Sequence, residues 1–116
     1  MGQKSGLGRL YEASDGTTYT GSFEMDKKSG FGRLECSEYI YVGGWERGEK
    51  NGLGYQSVTQ GGSYFGYWKN GMRHGIGFEQ GKNYDYKGEW KNDLPHGYAI
   101  LDIKDKGQKM AKFKDG

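Results

Sequence analysis

The chain has 116 residues, enough for one domain, and 16% of them are aromatic (10 Tyr, 5 Phe, 3 Trp) although only 33% are hydrophobic in all. That aromatic share excludes a disordered polar chain. The net charge of +2 is too small for an electrostatic nucleic-acid binder, and the single Cys36 allows no intramolecular disulfide, which fits a reducing compartment.

The N-terminal stretch MGQKSGLGRL has no apolar segment of the kind a secretory signal needs. Ser5 stands one position short of the myristoylation pattern that would begin at Gly2. No apolar run approaches the roughly 20 residues of a membrane-spanning helix. Residues 4–10, KSGLGRL, return almost unchanged as KSGFGRL at 28–34, so residues 1–12 read as the second half of a repeated unit. Full units follow from Tyr19, Tyr41, Tyr64 and Tyr86. Each opens with Tyr, Gly and a larger aromatic at alternate positions: Tyr19-Gly21-Phe23, Tyr41-Gly43-Trp45, Tyr64-Gly66-Trp68 and Tyr86-Gly88-Trp90. A glycine pair follows in each, at Gly30 and Gly32, Gly52 and Gly54, and Gly75 and Gly77; the fourth unit has Gly97 and Ala99. Polar, Gly-rich connectors such as 57–63 separate the units. A degenerate half-unit, 107–116, closes the array, with Lys109, Ala111 and Phe113 at the Tyr, Gly and Trp positions. Self-similarity at this period marks a repeat array, in which each unit is stabilised by its neighbours.

Within a unit, alternation at period two predicts a strand. Asn70-Gly71 is a strong two-residue hairpin signal, because a type I′ turn needs φ > 0 at both central residues. Asp26 and Asp93 at the second turn position weaken that expectation in units one and four. A two-residue turn sets the register: Lys69 opposite Met72, Trp68 opposite Arg73, Tyr67 opposite His74, Gly66 opposite Gly75, Phe65 opposite Ile76 and Tyr64 opposite Gly77. One face then carries Tyr64, Gly66, Trp68, Arg73, Gly75 and Gly77, with rings lying on a floor of bare backbone. The other carries Phe65, Tyr67, His74, Ile76 and Phe78. The predicted fold is all-β, an elongated, twisted antiparallel sheet of stacked hairpins without helix. Its ten strands at ~4.8 Å each give a length on the order of 45 Å.

These residues resemble the MORN (membrane occupation and recognition nexus) repeat, similar to Y-x-G-x-W-x-x-G followed by H-G-x-G. Unit three matches throughout: Tyr64, Gly66, Trp68, Gly71, His74, Gly75 and Gly77. Departures are Phe23 for Trp, Asp26 and Asp93 for Gly, Ala99 for Gly, and Pro95 in the second strand of unit four, which puts that strand in doubt. The resemblance implies a rod-like hairpin array without catalysis, acting as a scaffold or docking subunit. It implies a cytoplasmic setting, at the cytoskeleton or in the axoneme of a cilium or flagellum. Anionic phospholipid binding at a membrane is the alternative that it implies.

Among candidate sites, His74 and His96 occupy equivalent positions, but Ser29 and Asn51 fill the same slot elsewhere, so a small polar slot is favoured over a metal site. Gly30-Phe31-Gly32 and its copies lie in strands with no helix following, which excludes a phosphate loop. Cys36 has no partner constellation. The sequence predicts no enzyme, no catalytic residue, no cofactor and no metal. Lys28, Lys50 and Arg73 recur beside the aromatics, either packed over rings or as a ladder for anionic lipid headgroups, with further lysines from Lys104 to Lys114. On the other face Leu7, Phe31, Leu53, Ile76 and Tyr98 form a constant row that reads as structural. Unit three alone adds Phe65, Tyr67 and Phe78, a candidate protein-docking patch together with Ile76. Both ends of the array present half-units, candidates for end-to-end contact or strand addition by another subunit.

Overall fold

The Tyr-x-Gly-x-Trp alternation places aromatic rings on one side of an extended chain, and every such segment forms a strand. A computed structural model describes residues 6–12 and 16–114. The outermost parts of both half-units, 1–5 and 115–116, and positions 13–15 of the first connector lie outside the described residues. The strands are β1 (Gly6–Glu12), β2 (Thr17–Glu24), β3 (Lys27–Glu35), β4 (Tyr39–Glu46) and β5 (Glu49–Val58). They continue with β6 (Ser63–Lys69), β7 (Met72–Gln80), β8 (Tyr84–Lys91), β9 (Leu94–Ile103) and β10 (Gly107–Phe113). They form one open antiparallel sheet in chain order from β1 to β10, with no helix among the described residues. The longest dimension is 57 Å, beyond the expected 45 Å, because a twisted sheet projects part of its strand length onto its long axis.

All four hairpins turn through two residues with positive φ: Met25 and Asp26, Arg47 and Gly48, Asn70 and Gly71, Asn92 and Asp93. The aspartates of units one and four therefore adopt the same type I′ geometry as the glycines, as residues that tolerate left-handed backbone do. The tips of the second, third and fourth hairpins are each held by the hairpin before. The amides of Gly48, Gly71 and Asp93 donate to the carbonyls of Lys28, Lys50 and Arg73 at 2.9–3.0 Å.

The register departs from a plain two-residue hairpin. Lys69 faces Met72 and Trp68 faces Arg73 as expected, but a bulge then shifts the ladder, so Gly66 faces Gly77, Phe65 faces Phe78 and Tyr64 faces Glu79. The shift is by two residues, so the two faces keep the side chains assigned to them. The same irregularity recurs between Gly21 and Phe23 and between Gly43 and Trp45. It divides the glycine pair into two roles. Gly75 has φ +89°, and a Cβ there would approach only Tyr67, at 3.6 Å, so Gly75 serves the bulge and is not part of the ring floor. Gly77 lies directly beneath the Tyr64 ring, and a Cβ on Gly66 would sit 2.6 Å from the Tyr64 hydroxyl oxygen. The floor is thus Gly66 with Gly77, repeated as Gly21 with Gly32 and Gly43 with Gly54.

The core on this face consists almost entirely of rings. Tyr19, Tyr41, Tyr64 and Tyr86 are buried with Phe23, Trp45, Trp68 and Trp90. Leu34 and Ala99 complete the buried set, flanked by Leu10, Tyr39, Leu101 and Phe113. Tyr41 meets Trp45 of its own unit at 5.1 Å and Trp68 of the next at 5.4 Å, both edge-to-face. Tyr19 and Tyr64 are held in the same way, by Phe23 and Trp45 and by Trp68 and Trp90.

In unit four the Ala99 methyl, buried in the core, stands where the other units have bare backbone. There the Tyr86–Trp90 pair is tilted to 60°. Trp45 and Trp68 donate Nε1 to the Gly32 and Gly54 carbonyls at 3.2 and 3.3 Å, whereas Trp90 Nε1 finds no acceptor among the described residues. β9 forms nevertheless. At its Pro95 position the preceding unit has Arg73, whose N–H and C=O both serve the next hairpin's Asp93 rather than its own ladder. A proline there gives up no bond within its hairpin.

Gly77→Ala is expected to destabilise by about 1–3 kcal/mol, since the methyl must displace the Tyr64 ring. Gly75→Ala is expected to cost about 1 kcal/mol through its positive φ alone. Urea denaturation of both variants measures the difference, and no cost at Gly77 would contradict the floor.

Candidate functional site

The sheet has a ring-filled face and an outer face, and the candidate residues divide between them. On the ring face, Lys28, Lys50 and Arg73 occupy equivalent places at the start of β3, β5 and β7. Lys28 Nζ lies over the Tyr19 and Trp45 rings at 5.5 and 5.6 Å. Lys50 Nζ lies over Tyr39, Tyr41 and Trp68 at 4.4, 5.3 and 4.8 Å and donates to Gln56 Oε1 at 2.6 Å. The Arg73 guanidinium stacks 4.2 Å from Trp90 and 5.8 Å from Tyr64. It also pairs with Asp93 at 3.1 Å and Glu79 at 3.5 Å. Each cation bridges a tyrosine and the next unit's tryptophan, where the ring faces attract it.

Burial pushes the Lys50 ammonium down to about 8, opposed in part by the charge of Asp93. Burial also raises the Tyr41 and Tyr64 phenols. Their hydroxyls donate to the carbonyls of Gly44 and Tyr67 at 2.9 and 3.0 Å. Tyr19 and Tyr86 donate to Ser22 and Glu89 in the same way. These acceptors stand at the bulge, where the ladder is interrupted.

On the outer face the row Leu7, Phe31, Leu53, Ile76 and Tyr98 is solvent-exposed, from 47% at Leu53 to 87% at Leu7. The expectation that this row is structural is therefore corrected. The buried core lies wholly on the other face, and this row has no layer above it. Phe65 and Tyr67 are each half exposed, and Phe78 is half-buried with Lys87 Nζ 5.4 Å from its ring. The register brings them together: Phe65 faces Phe78, and Tyr67 faces Leu53.

Tyr55, which faces Phe65 from β5 and is exposed, completes the patch; the sequence reading passed over it. Its signal was available, since it follows the second glycine of its unit as Phe78 does in the next. Arg33 and Ile100 hold that position elsewhere. The result is an apolar strip of Val42, Tyr55, Phe65 and Phe78 in one row and Leu53, Tyr67 and Ile76 beside it. Arg33 adjoins one end and Lys87 the other.

His74 and His96 lie at the bulges of adjacent hairpins, and Cys36 is a free, half-buried thiol. Among the described residues no three His, Cys, Asp or Glu converge as metal ligands, and no helix is long and apolar enough to cross a membrane.

Lys50 makes stability depend on pH in a defined direction. Below pH 8 it is charged in both states, and its burial is a cost. Between about 8 and 10.5 the folded chain releases the proton while the unfolded chain keeps it, so stability rises. Above about 10 the unfolded tyrosines ionise first, because Tyr41 and Tyr64 are held neutral in the fold, and stability falls. A gain of about 1 kcal/mol between pH 7 and 9.5 is expected, allowing for solvent screening of a side chain only partly buried. Lys50→Met should lose this rise in urea midpoints; a flat wild-type profile would contradict it.

The family model for the MORN repeat matches residues 19–38, 41–57, 64–85 and 86–108. No curated protein matches the chain.

Proposed function

Because the chain belongs to the MORN repeat family, we propose that it is a non-catalytic scaffold or docking subunit whose outer face receives another protein of a larger assembly. The observation that carries this reading is the strip built on Leu53, Tyr55, Phe65, Tyr67, Ile76 and Phe78. It is contiguous across β5, β6 and β7, exposed at every residue but the half-buried Phe78, and not part of the core. Exposed apolar patches of this kind mark protein contacts, and their aromatic content matches the residues that anchor interfaces. A cytoskeletal or ciliary assembly is the setting we propose from the family resemblance.

A protein partner is favoured over an anionic membrane by the use already made of the three recurrent cations. Lys28, Lys50 and Arg73 lie over rings on the opposite face from the strip, and Arg73 is further engaged by two carboxylates.

Phe65→Ser combined with Phe78→Ser is expected to abolish recovery of the partner from native extracts while leaving the circular-dichroism spectrum and urea midpoint near wild type. Unchanged recovery would remove the strip from the account. Sedimentation with phosphatidylserine vesicles over a salt series tests the membrane alternative. Binding that falls with salt and with substitution of Lys28, Lys50 and Arg73 by Glu would replace this reading.

A further inference from the structure

The cation over the rings is missing from one unit. Lys28, Lys50 and Arg73 fill that place in the first three units, and the fourth has Pro95. The rings that surround Lys50 are reproduced around Pro95, while Leu101 stands where Gln56 accepts from Lys50. Tyr39, Tyr41 and Trp68, the rings beneath Lys50, correspond to Tyr84, Tyr86 and Phe113. Tyr86 and Phe113 stand 5.7 Å apart, edge to face, as Tyr41 and Trp68 do at 5.4 Å. Among the described residues no long side chain covers them, and these rings border an open apolar groove of about 360 Å³ whose sides include Leu101 and Ile103. Tyr84 is 43% exposed there, while Tyr86 forms the buried floor.

The groove has a carboxylate at its rim. Glu79 lines it, accepting from the Tyr84 hydroxyl at 3.3 Å through Oε1 and pairing with Arg73 at 3.5 Å through Oε2. The chain's own Lys109, opposite Leu101 on β10, is exposed and does not line the groove.

We propose that this groove takes a lysine or arginine side chain from a partner protein, which lies over Tyr84 and Phe113 as Lys50 lies over Tyr39 and Trp68. The preceding units supply the template. The same ring arrangement holds a lysine twice and an arginine once, and ring faces with a carboxylate attract a cation more than a neutral chain of equal length. Leu101 and Ile103 suit the aliphatic stem of such a side chain. This contact is on the ring face and stands independently of the outer strip.

The test is an NMR titration of the full chain with acetyl-Leu-Lys-Leu-amide, its arginine counterpart, and the uncharged norleucine analogue. The lysine and arginine peptides are expected to shift the ring resonances of Tyr84 and Phe113. The norleucine peptide is expected to bind about 3–30-fold more weakly, the range that a cation–π contact spans. Pro95→Lys, which places the chain's own cation in the groove, should abolish peptide binding. Tyr84→Leu, a change at an exposed ring that keeps apolar bulk, should weaken it. Phe65→Ser with Phe78→Ser should leave it unchanged, which separates this site from the strip. Equal binding of the norleucine peptide, undiminished binding to Pro95→Lys, or no ring shifts up to about 20 mM peptide would overturn the proposal.

Discussion

Each core tyrosine is gripped between the large ring of its own unit and that of the next, edge-to-face at every contact but the tilted Tyr86–Trp90 pair. This contact runs from Phe23 through Tyr19, Trp45, Tyr41, Trp68, Tyr64 and Trp90 to Tyr86 and Phe113 without a break. The other features follow from making room for it. A ring can lie against the sheet only where the sheet has no side chains, hence the facing glycines Gly66 and Gly77 and their copies. A phenol buried there must find an acceptor, and the bulge supplies a carbonyl at the required height. The Trp45 and Trp68 indoles, packed on the preceding unit, reach that unit's glycine carbonyl. A single hairpin would leave its tyrosine half covered, so a unit acquires its core only with a neighbour.

The one-sided core has a functional consequence. Rings on one face satisfy stability, and the outer face is left free to vary. Thr20 and Arg33 stand in the first unit where Phe65 and Phe78 stand in the third. Two rows of apolar side chains then collect on the middle strands without cost to the fold. The ring face carries its own variation at the cation position. Unit four departs in several features together: the Tyr86–Trp90 pair is tilted, Trp90 Nε1 has no acceptor among the described residues, and Pro95 lines a groove where the other units hold a cation.

The fold was legible because period-two alternation, two-residue turns and a repeated unit all point to one architecture. Even the division of side chains between the faces survived a wrong register, since the bulge shifts it by two. The bulge itself was hidden, because a glycine needed for positive φ and a glycine needed for space look identical in a sequence. Gly75 and Gly77 differ only in what surrounds them. The exposure of Leu53 and Ile76 was hidden for a related reason: an apolar residue fixed between two glycines suggests burial, and only the one-layered sheet shows that nothing covers it. Tyr55 was missed because its neighbour Phe65 belongs to another unit, and contacts across units follow from the paired register. The open groove required recognising Pro95 as a substitution in a slot whose purpose is visible only through the rings around Lys50.

The central claim is that neighbouring units are coupled through the tyrosine–tryptophan edge. A double-mutant cycle on Tyr41 and Trp68, each replaced by Leu and followed by urea denaturation, measures it directly. The coupling energy is expected to be about 0.5–1.5 kcal/mol, with none between Tyr41 and Trp90, which do not touch. Additive effects at Tyr41 and Trp68, or equal coupling for the distant pair, would contradict the account.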